Sequence, residues 1–323
     1  MLRFALRRLG VALFLIWVVL TATFFFLYLA PGGPTTIYED PKMSDEQRLR
    51  LRQAYGLDRP VATQYARWLG AAVRGDWGVS ITRQRSAAKV LAELFPNTLV
   101  LVAGVLVVEY GLGLTLGVAS ASFAGGGIDR QIRRLSLLLF AVPVFWLGIL
   151  AIELFAVRWG IFPVGEMTSL DARSLPLPAR LLDLVHHLAL PALVLGLARC
   201  GGVVRFVRNG LLEALGQDYV RTARALGLGP WRVVWVHALK NAAGPLVQRF
   251  GFTLPGLLSG AVVAEVVFAW PGIGSVAFGA VLERDYPVVL AATGLSGVIV
   301  VLSTLMTDLV HAWIDPRVRA HEA

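Results

Sequence analysis

The stretch DYVRTARALGLGPWRVVWVHALKN, residues 218–241, is polar and basic, although long apolar runs lie on both sides of it. The whole chain has 323 residues, of which 56% are hydrophobic and only 16% are charged. Soluble domains carry about 25% charged residues, so this composition indicates a protein that crosses a membrane several times. Residues 218–241 are then a folded loop that lies outside the hydrocarbon layer.

The positive charge of the chain comes almost entirely from arginine. The net charge is +9, and three lysines occur, at Lys42, Lys89 and Lys240. In so apolar a chain, arginine-rich loops are explained by the positive-inside rule, and we expect no nucleic-acid partner. The lone cysteine, Cys200, lies in an apolar run and is interpreted as a packing residue.

Apolar runs long enough to cross about 30 Å of hydrocarbon occur six times along the chain. The first run is too long for a cleaved signal peptide and is interpreted as an anchor that stays in the protein. The six predicted spans are residues 9–30, 98–122, 135–157, 188–206, 246–268 and 288–312.

Arginines follow the second and fourth spans and the end of the last span, which predicts that both termini lie in the cytoplasm. The predicted fold class is therefore an all-α, polytopic membrane protein with six transmembrane helices and membrane lipid around it. The predicted domains are an N-terminal anchor helix (1–30), an extracytoplasmic helical insertion (31–97), a core (98–312) with a cytoplasmic loop (207–245), and a cytoplasmic tail (313–323).

Two amphipathic helices are predicted in the insertion. SDEQ, residues 44–47, has the form of a capping box, and the helix that it opens would end at Gly56. Pro60 suits the start of a second helix. Its apolar residues recur at helical spacing at Val61, Tyr65, Trp68, Leu69 and Ala72.

The cytoplasmic loop is predicted to form a helix, a turn and a second helix. Gly227 and Gly229 end the first helix, and Pro230 begins the second. This loop suits either a helix that lies in the headgroup layer or a rigid knob for a partner protein. The first helix is predicted to carry one apolar stripe at Leu211, Leu215, Tyr219, Ala223 and Leu226.

The longer stretch LLEALGQDYVRTARALGLGPWRVVWVHALKNAAGP, residues 211–245, resembles the cytoplasmic loop of inner-membrane permease subunits of ATP-binding-cassette (ABC) importers. The match is to the dipeptide, oligopeptide and nickel branch of these permeases. Other stretches resemble that family in the expected order: GDWGVS (75–80), GIFPVGE (160–166), HLALPALVLGL (187–197), EVVFAWPGIG (265–274), RDYPVV (284–289) and DPRVR (315–319).

The resemblance implies that the first loop helix is a coupling helix seated in a groove of a separate ATPase. It also implies an extracytoplasmic substrate-binding protein, two ATP-binding subunits and a second, homologous permease subunit, with alternating access between the two permeases. The coupling residues implied are Asp218, Tyr219, Arg221, Thr222, Ala223, Arg224, Ala225, Gly227 and Gly229. Peptides are the leading substrate, while nickel, glutathione and other small solutes stay open.

Motifs of catalysis are absent from the sequence. No G-x-x-x-x-G-K-[ST] phosphate loop, G-x-S-x-G elbow or H-E-x-x-H pair occurs. We therefore expect a translocation subunit that is not itself an enzyme, that binds no cofactor or metal, and whose ATP is hydrolysed on another chain. The pair His186–His187 is interpreted as interfacial and not as a metal site.

Charges inside predicted spans are costly, so each is a candidate functional site. Glu109 and Arg199 both fall near the middle of their predicted spans, when depth is counted from the start of each span at about 1.5 Å per residue. We expect them either to form an ion pair or to line a water-filled translocation path. An ion-coupled secondary transporter that uses this pair is the alternative function, and an intramembrane hydrolase is a further rival.

The end of the fifth predicted span carries helix-breaking residues. Pro271, Gly272 and Gly274 follow Glu265, and we expect them to interrupt the helix in a short re-entrant or surface turn. By the resemblance, these four residues would lie near the outer gate and the docking surface of the binding protein. An ordinary turn at the end of a helix is the alternative.

Overall fold

The computed structural model describes residues 2–30, 44, 46, 58–242, 253 and 261–314. Nearly all of the predicted helix 44–56, most of the fifth predicted span and the tail after residue 314 lie outside the described residues. The helices, in chain order, are α1 (Leu2–Leu29), α2 (Val61–Val73), α3 (Ala87–Ser122), α4 (Gly127–Ala141), α5 (Val144–Ala151, continued by a π-helical segment Ile152–Arg158), α6 (Leu177–Leu215), α7 (Asp218–Ala225), α8 (Pro230–Arg232, a π-helical segment Val233–Ala238 and Leu239–Ala242), α9 (Ile273–Leu282) and α10 (Tyr286–Ile314).

Four of these helices are long and apolar enough to cross a membrane, within the part of the chain that the structure describes. They are the Leu9–Leu29 part of α1, then α3, α6 and the Tyr286–Leu305 part of α10. The pair α4 and α5 makes a fifth if it is one span, and it is bent by 99°. The all-α, multi-pass prediction is confirmed, and the number of six spans stays a prediction.

The third predicted span, residues 135–157, is wrong as a single straight helix. The chain bends between α4 and α5, where Val142 has extended backbone (φ −82°, ψ 129°) and Pro143 follows it. Proline has no N–H to donate and disfavours helical backbone in the residue before it. An average of hydropathy over the whole run cannot register this single residue.

The described residues belong to two compact units, and the first comprises residues 1–96 and 272–302. Its core joins Ala87 and Leu91 of α3 to Ile273 of α9 and Val288 of α10. The insertion helix α2 begins directly after Pro60 and is amphipathic, as predicted. Its aromatic residues pack against Phe24 of α1: the ring of Tyr65 lies edge-on at 5.4 Å and that of Trp68 stacks at 5.3 Å.

The second unit comprises residues 97–271 and 303–323. Glycines bring α3 and α6 into close contact: a Cβ on Gly113 would lie 2.5 Å from the Cβ of Val203, and one on Gly117 would lie 2.7 Å from that of Val207. Gly113 and Gly117 form a G-x-x-x-G pair, which is a common device for packing helices in membranes because small residues let backbones approach. Residues 272–302 lie in the first unit, although they were predicted to belong to the core domain (98–312).

Candidate functional site: the helical loop and the buried charges

The loop that was predicted to be a coupling element begins with a break in the helix. α6 ends at Leu215, and Gln217 has extended backbone (φ −79°, ψ 154°) before α7 begins. The predicted stripe through Leu211, Leu215 and Tyr219 is therefore wrong, because it assumed one continuous helix. The break changes which face of α7 is buried: Val220 is fully buried, while Tyr219 is 38% exposed and Leu226 is 76% exposed.

α7 is terminated by Gly227, two residues beyond its last helical residue, Ala225, as predicted from the sequence. Gly227 has a left-handed backbone (φ +80°), which glycine adopts without strain. Its N–H donates to the carbonyl of Arg224 at 3.0 Å, and the N–H of Leu228 donates to that of Ala223 at 3.2 Å. These two bonds form a Schellman motif, which satisfies carbonyl groups at the end of the helix.

The helix–turn–helix has a small apolar core of its own. Val220 and Ala223 of α7 pack with Val233 of α8, and Leu215 and Leu228 cover them. Ala223 is thus part of the internal packing and does not belong to the exposed face. The exposed predicted residues are Asp218, Tyr219, Arg221, Thr222, Arg224, Ala225, Gly227 and Gly229.

The exposed face of α7 carries two arginines. Arg221 pairs with Asp218 at 3.2 Å, but both side chains are largely exposed, so this pair adds little stability. Arg224 forms no ion pair with any residue that the structure describes. The exposed surface of α7 therefore offers the unneutralised guanidinium of Arg224 and, separately, the partly exposed ring of Tyr219.

A buried aspartate that sequence reasoning missed ties together the elements next to this loop. Asp129, at the start of α4, is fully buried. Arg208 of α6 donates to both of its oxygens, from Nε at 2.8 Å and Nη2 at 2.9 Å. Ser120 of α3 donates a further bond at 2.6 Å, and the N–H of Gly125 donates another at 2.9 Å. This Asp129 cluster joins α3, α4 and α6 at the end of α6 that leads into the loop.

Glu109 and Arg199 are in contact. Arg199 Nε donates to Glu109 Oε2 at 3.1 Å, so the ion-pair alternative describes the structure. The two side chains differ in burial, since that of Glu109 is 1% exposed and that of Arg199 is 32% exposed. The second oxygen of Glu109, Oε1, is buried and has no hydrogen-bond partner among the described residues. The backbones are close here, because a Cβ on Gly196 would lie 2.6 Å from the Cβ of Val108.

The helix break predicted around Pro271 and Gly272 is present. The helical stretch 261–267 ends before it, and α9 begins at Ile273, so Gly274 lies in the first turn of α9. Glu265 is fully buried and accepts a bond of 2.7 Å from the hydroxyl of Thr98. Within the second unit, Asn97 Nδ2 donates to the carbonyl of Pro271 at 2.8 Å.

Apolar helices of membrane-spanning length, packed through glycines and carrying a separately folded polar loop, define a multi-pass α-helical membrane protein. The chain belongs to the family described as the inner membrane component of binding-protein-dependent transport systems, whose model matches residues 113–320. The N-terminal model of the same membrane components matches residues 1–102. The protein is thus a permease subunit of an ABC importer and a multi-pass inner membrane protein.

Curated relatives match the chain along its whole length. It is 36% identical to the oligopeptide transport system permease protein AppB of Bacillus subtilis (strain 168), with 98% of this chain and 99% of that protein covered. It is 35% identical to the dipeptide transport system permease protein DppB of Escherichia coli (strain K12), with 99% of each covered.

Solved structures show the same fold. Inward-facing structures of the MetNI methionine ABC transporter match with a TM-score of 0.57 at 18% identity, over 70% of this chain and 96% of that chain. The family resemblance predicted from the loop and the shorter motifs is confirmed. The rival interpretations as a secondary transporter or an intramembrane hydrolase are set aside by family membership.

Proposed function

We propose that this chain forms half of a translocation pathway for dipeptides or oligopeptides, together with a second, homologous permease subunit. Relatives that match nearly its full length are named as oligopeptide and dipeptide permeases. Six spans with both termini in the cytoplasm put the arginine-rich loops on the inner side, in agreement with the positive-inside rule. An extracytoplasmic binding protein delivers the peptide to the outer face.

α7 is the coupling helix in this proposal, and the observation that supports it is the division of its two faces. Val220 and Ala223 attach α7 to α8 through the loop's own core, so the helix moves as a rigid knob. Tyr219 and Arg224, which flank the buried residues on the helix surface, remain exposed to a partner. Aromatic rings and arginines are the side chains that most often dominate the energy of a protein interface.

ATP hydrolysis on two partner subunits then drives alternating access. Closure of the ATPase pair pulls on α7, and the Asp129 cluster passes the displacement to α3, α4 and α6 because it bonds to all three. At the outer side, Glu265, Pro271, Gly272 and Gly274 belong to the gate or to the docking surface of the binding protein. The ion pair of Glu109 and Arg199 lies on or beside the translocation path.

The coupling role is tested by purifying the importer in mild detergent and measuring how much ATPase subunit remains with the permease. We expect Tyr219→Ala and Arg224→Glu to reduce retention of the ATPase about tenfold or more, because both side chains are on the exposed face. Arg173→Glu is the matched control, since Arg173 is also exposed but lies far along the chain from α7. It is expected to retain the ATPase as the wild type does.

Thermal unfolding of the same samples separates docking from folding. The exposed variants should unfold at the wild-type temperature, whereas Val220→Ala should unfold earlier because it opens a cavity in the loop core. If Tyr219→Ala and Arg224→Glu keep the ATPase as firmly as the control does, α7 is an interfacial helix and the proposed coupling role is wrong.

A further inference from the structure

Two family-like segments that lie far apart in the sequence meet in the first unit. These are the GDWGVS segment (75–80) and the RDYPVV segment (284–289). The hydroxyl of Ser80 donates to Asp285 Oδ2 across 205 positions of sequence. A Cβ on Gly78, which has a left-handed backbone (φ +86°), would lie 3.4 Å from the Cβ of Pro287. The two segments therefore form one structure, and the transport mechanism described above uses neither.

Asp285 is held at this junction by hydrogen bonds to one of its oxygens, while the other has no partner in the described part of the chain. Besides Ser80, both the N–H of Thr82 (3.2 Å) and its hydroxyl (3.0 Å) donate to Oδ2. Asp285 is only 1% exposed. Its Oδ1 is buried and accepts no hydrogen bond from any described residue. A buried carboxylate oxygen without a donor is costly, so Oδ1 is able to accept a hydrogen bond from a donor other than the described residues.

A cavity of about 130 Å³ adjoins Asp285. Thr82, Arg83, Ser275 and Glu283 also line it. Arg83 and Glu283 are both exposed, and neither forms an ion pair with another residue in the described part of the chain. The cavity thus joins two carboxylates and one guanidinium that are not paired with one another.

The backbone on each side of the cavity is fixed in an uncommon conformation. Gln84 has φ +52° and Arg284 has φ +56°, although residues other than glycine seldom adopt left-handed backbone. Arg284 ends α9 in a Schellman motif, in which the N–H of Asp285 donates to the carbonyl of Ala280 at 2.8 Å. The charged side chains therefore start from rigid turns and do not extend from a loose loop.

We propose that this cavity is a binding site for a small zwitterion with the dimensions of an α-amino acid. The ammonium group of the ligand donates to Asp285 and Glu283, and its carboxylate accepts from Arg83. At about 130 Å³ the cavity is large enough to admit a ligand of a few heavy atoms. A ligand that carries both signs can pair with the carboxylates and with the guanidinium of Arg83 at once, whereas a simple cation can pair only with the carboxylates.

This site goes beyond the transport of peptides, because it lies in segments predicted to face the outside and uses none of the coupling or pathway residues. The test uses the intact importer in detergent and isothermal titration calorimetry with glycine as the probe. Methylammonium and acetate, which each carry one of the two charges, are titrated separately. We expect glycine to bind about tenfold or more tightly than either single ion.

Variants at the cavity assign the binding to this site. Arg83→Gln and Glu283→Gln change exposed side chains and should each weaken glycine binding about tenfold, through loss of a charge-assisted hydrogen bond. Arg67→Gln, an exposed position on α2, is the matched control and should bind glycine as the wild type does. Asp285→Asn should abolish binding, but it also puts an amide in place of the carboxylate that Ser80 and Thr82 bond to, so its folding is checked first.

The outcomes separate cleanly. Glycine binding that needs both Arg83 and Glu283 supports the zwitterion site. No heat of binding with glycine overturns the proposal, and so does methylammonium binding as tightly as glycine. Glycine binding that is unchanged in folded Arg83→Gln and Glu283→Gln overturns it too, because the ligand would then lie elsewhere in the importer.

Discussion

Removing Arg199 should destabilise the protein far more than removing its partner, because the two members of the ion pair are unevenly buried. The side chain of Glu109 is 1% exposed, and its Oε1 already lacks a hydrogen-bond partner among the described residues. Arg199→Gln therefore leaves a buried carboxylate with no cation, a change that costs about 3–5 kcal/mol in other proteins. Glu109→Gln leaves a guanidinium that is 32% exposed and can be hydrated, so we expect about 1–2 kcal/mol.

An exposed pair in the same chain provides the matched control. Arg158 Nε lies 3.0 Å from Glu153 Oε1, nearly the same separation as in the buried pair, but the two side chains are 68% and 50% exposed. Arg158→Gln should change the free energy of unfolding by about 0–1 kcal/mol, as is typical of surface ion pairs. The difference between the two arginine variants thus measures burial and not the loss of an arginine as such.

The measurement is a double-mutant cycle on the free energy of unfolding. That free energy is obtained by unfolding the detergent-solubilised protein in a titration with SDS. The double variant Glu109→Gln/Arg199→Gln contains no unpaired charge, so it should be more stable than Arg199→Gln alone. The exchange Glu109→Arg/Arg199→Glu should likewise be more stable than either of its single variants. Equal losses in Arg199→Gln and Arg158→Gln, or an exchange no better than its single variants, would show that the pair is not energetically coupled.

Three further substitutions test the packing with the same unfolding assay. Asp129→Asn, which replaces the shared acceptor of the Asp129 cluster, should lower the unfolding temperature by several degrees, whereas Arg133→Gln should not, since that arginine is half-exposed and its Nε lies 3.3 Å away. Gly294→Ala places a methyl 2.3 Å from an indole carbon and should cost about 1–3 kcal/mol, while Gly279→Ala, which meets nothing within 4 Å, should be neutral. Gly227→Ala has free space but a left-handed backbone, so it should cost about 1 kcal/mol and loosen α7.

Local chemistry accounts for the parts of the fold that the sequence predicts well. The ends of helices at Pro60, Gly227 and Gly272 depend on the residue at that position and its immediate neighbours, through a missing N–H or a left-handed backbone. The amphipathic helix α2 follows from spacing alone. These features need no knowledge of what packs against them.

The errors in the loop and in the third span have the opposite origin. The predicted apolar stripe assumed that the helix continued through Gly216. Whether Gly216 is helical or part of a turn depends on how the residues after it pack. Once Val220 docks against Val233, the register of α7 is fixed and Tyr219 turns outward. At Val142 the signal was present in the following proline, but a hydropathy window does not weigh the hydrogen bond that proline removes.

Long-range pairs explain why the buried polar clusters were missed. Asp129 and Arg208 are 79 positions apart, and each resembles an ordinary loop charge when it is met alone. The pairing of Glu109 with Arg199 was predicted only from their equal depth in the membrane, because the energetic cost of two buried charges is lower when they form an ion pair. Asp129 lies outside the predicted spans, where a charge needs no partner, so depth gave no reason to look for one.

The family-like segments are short because each supplies one half of a contact. GDWGVS (75–80) meets RDYPVV (284–289) through Ser80 and Asp285. GIFPVGE (160–166) meets EVVFAWPGIG (265–274), where the N–H of Glu166 donates to the carbonyl of Phe268 at 3.0 Å and a Cβ on Gly165 would lie 2.7 Å from that oxygen. One segment alone predicts little about the fold, because its polar groups and glycines contact the other segment of the pair. Their occurrence together in a fixed order is more specific than any one of them, because segments that are distant in the sequence form the contacts.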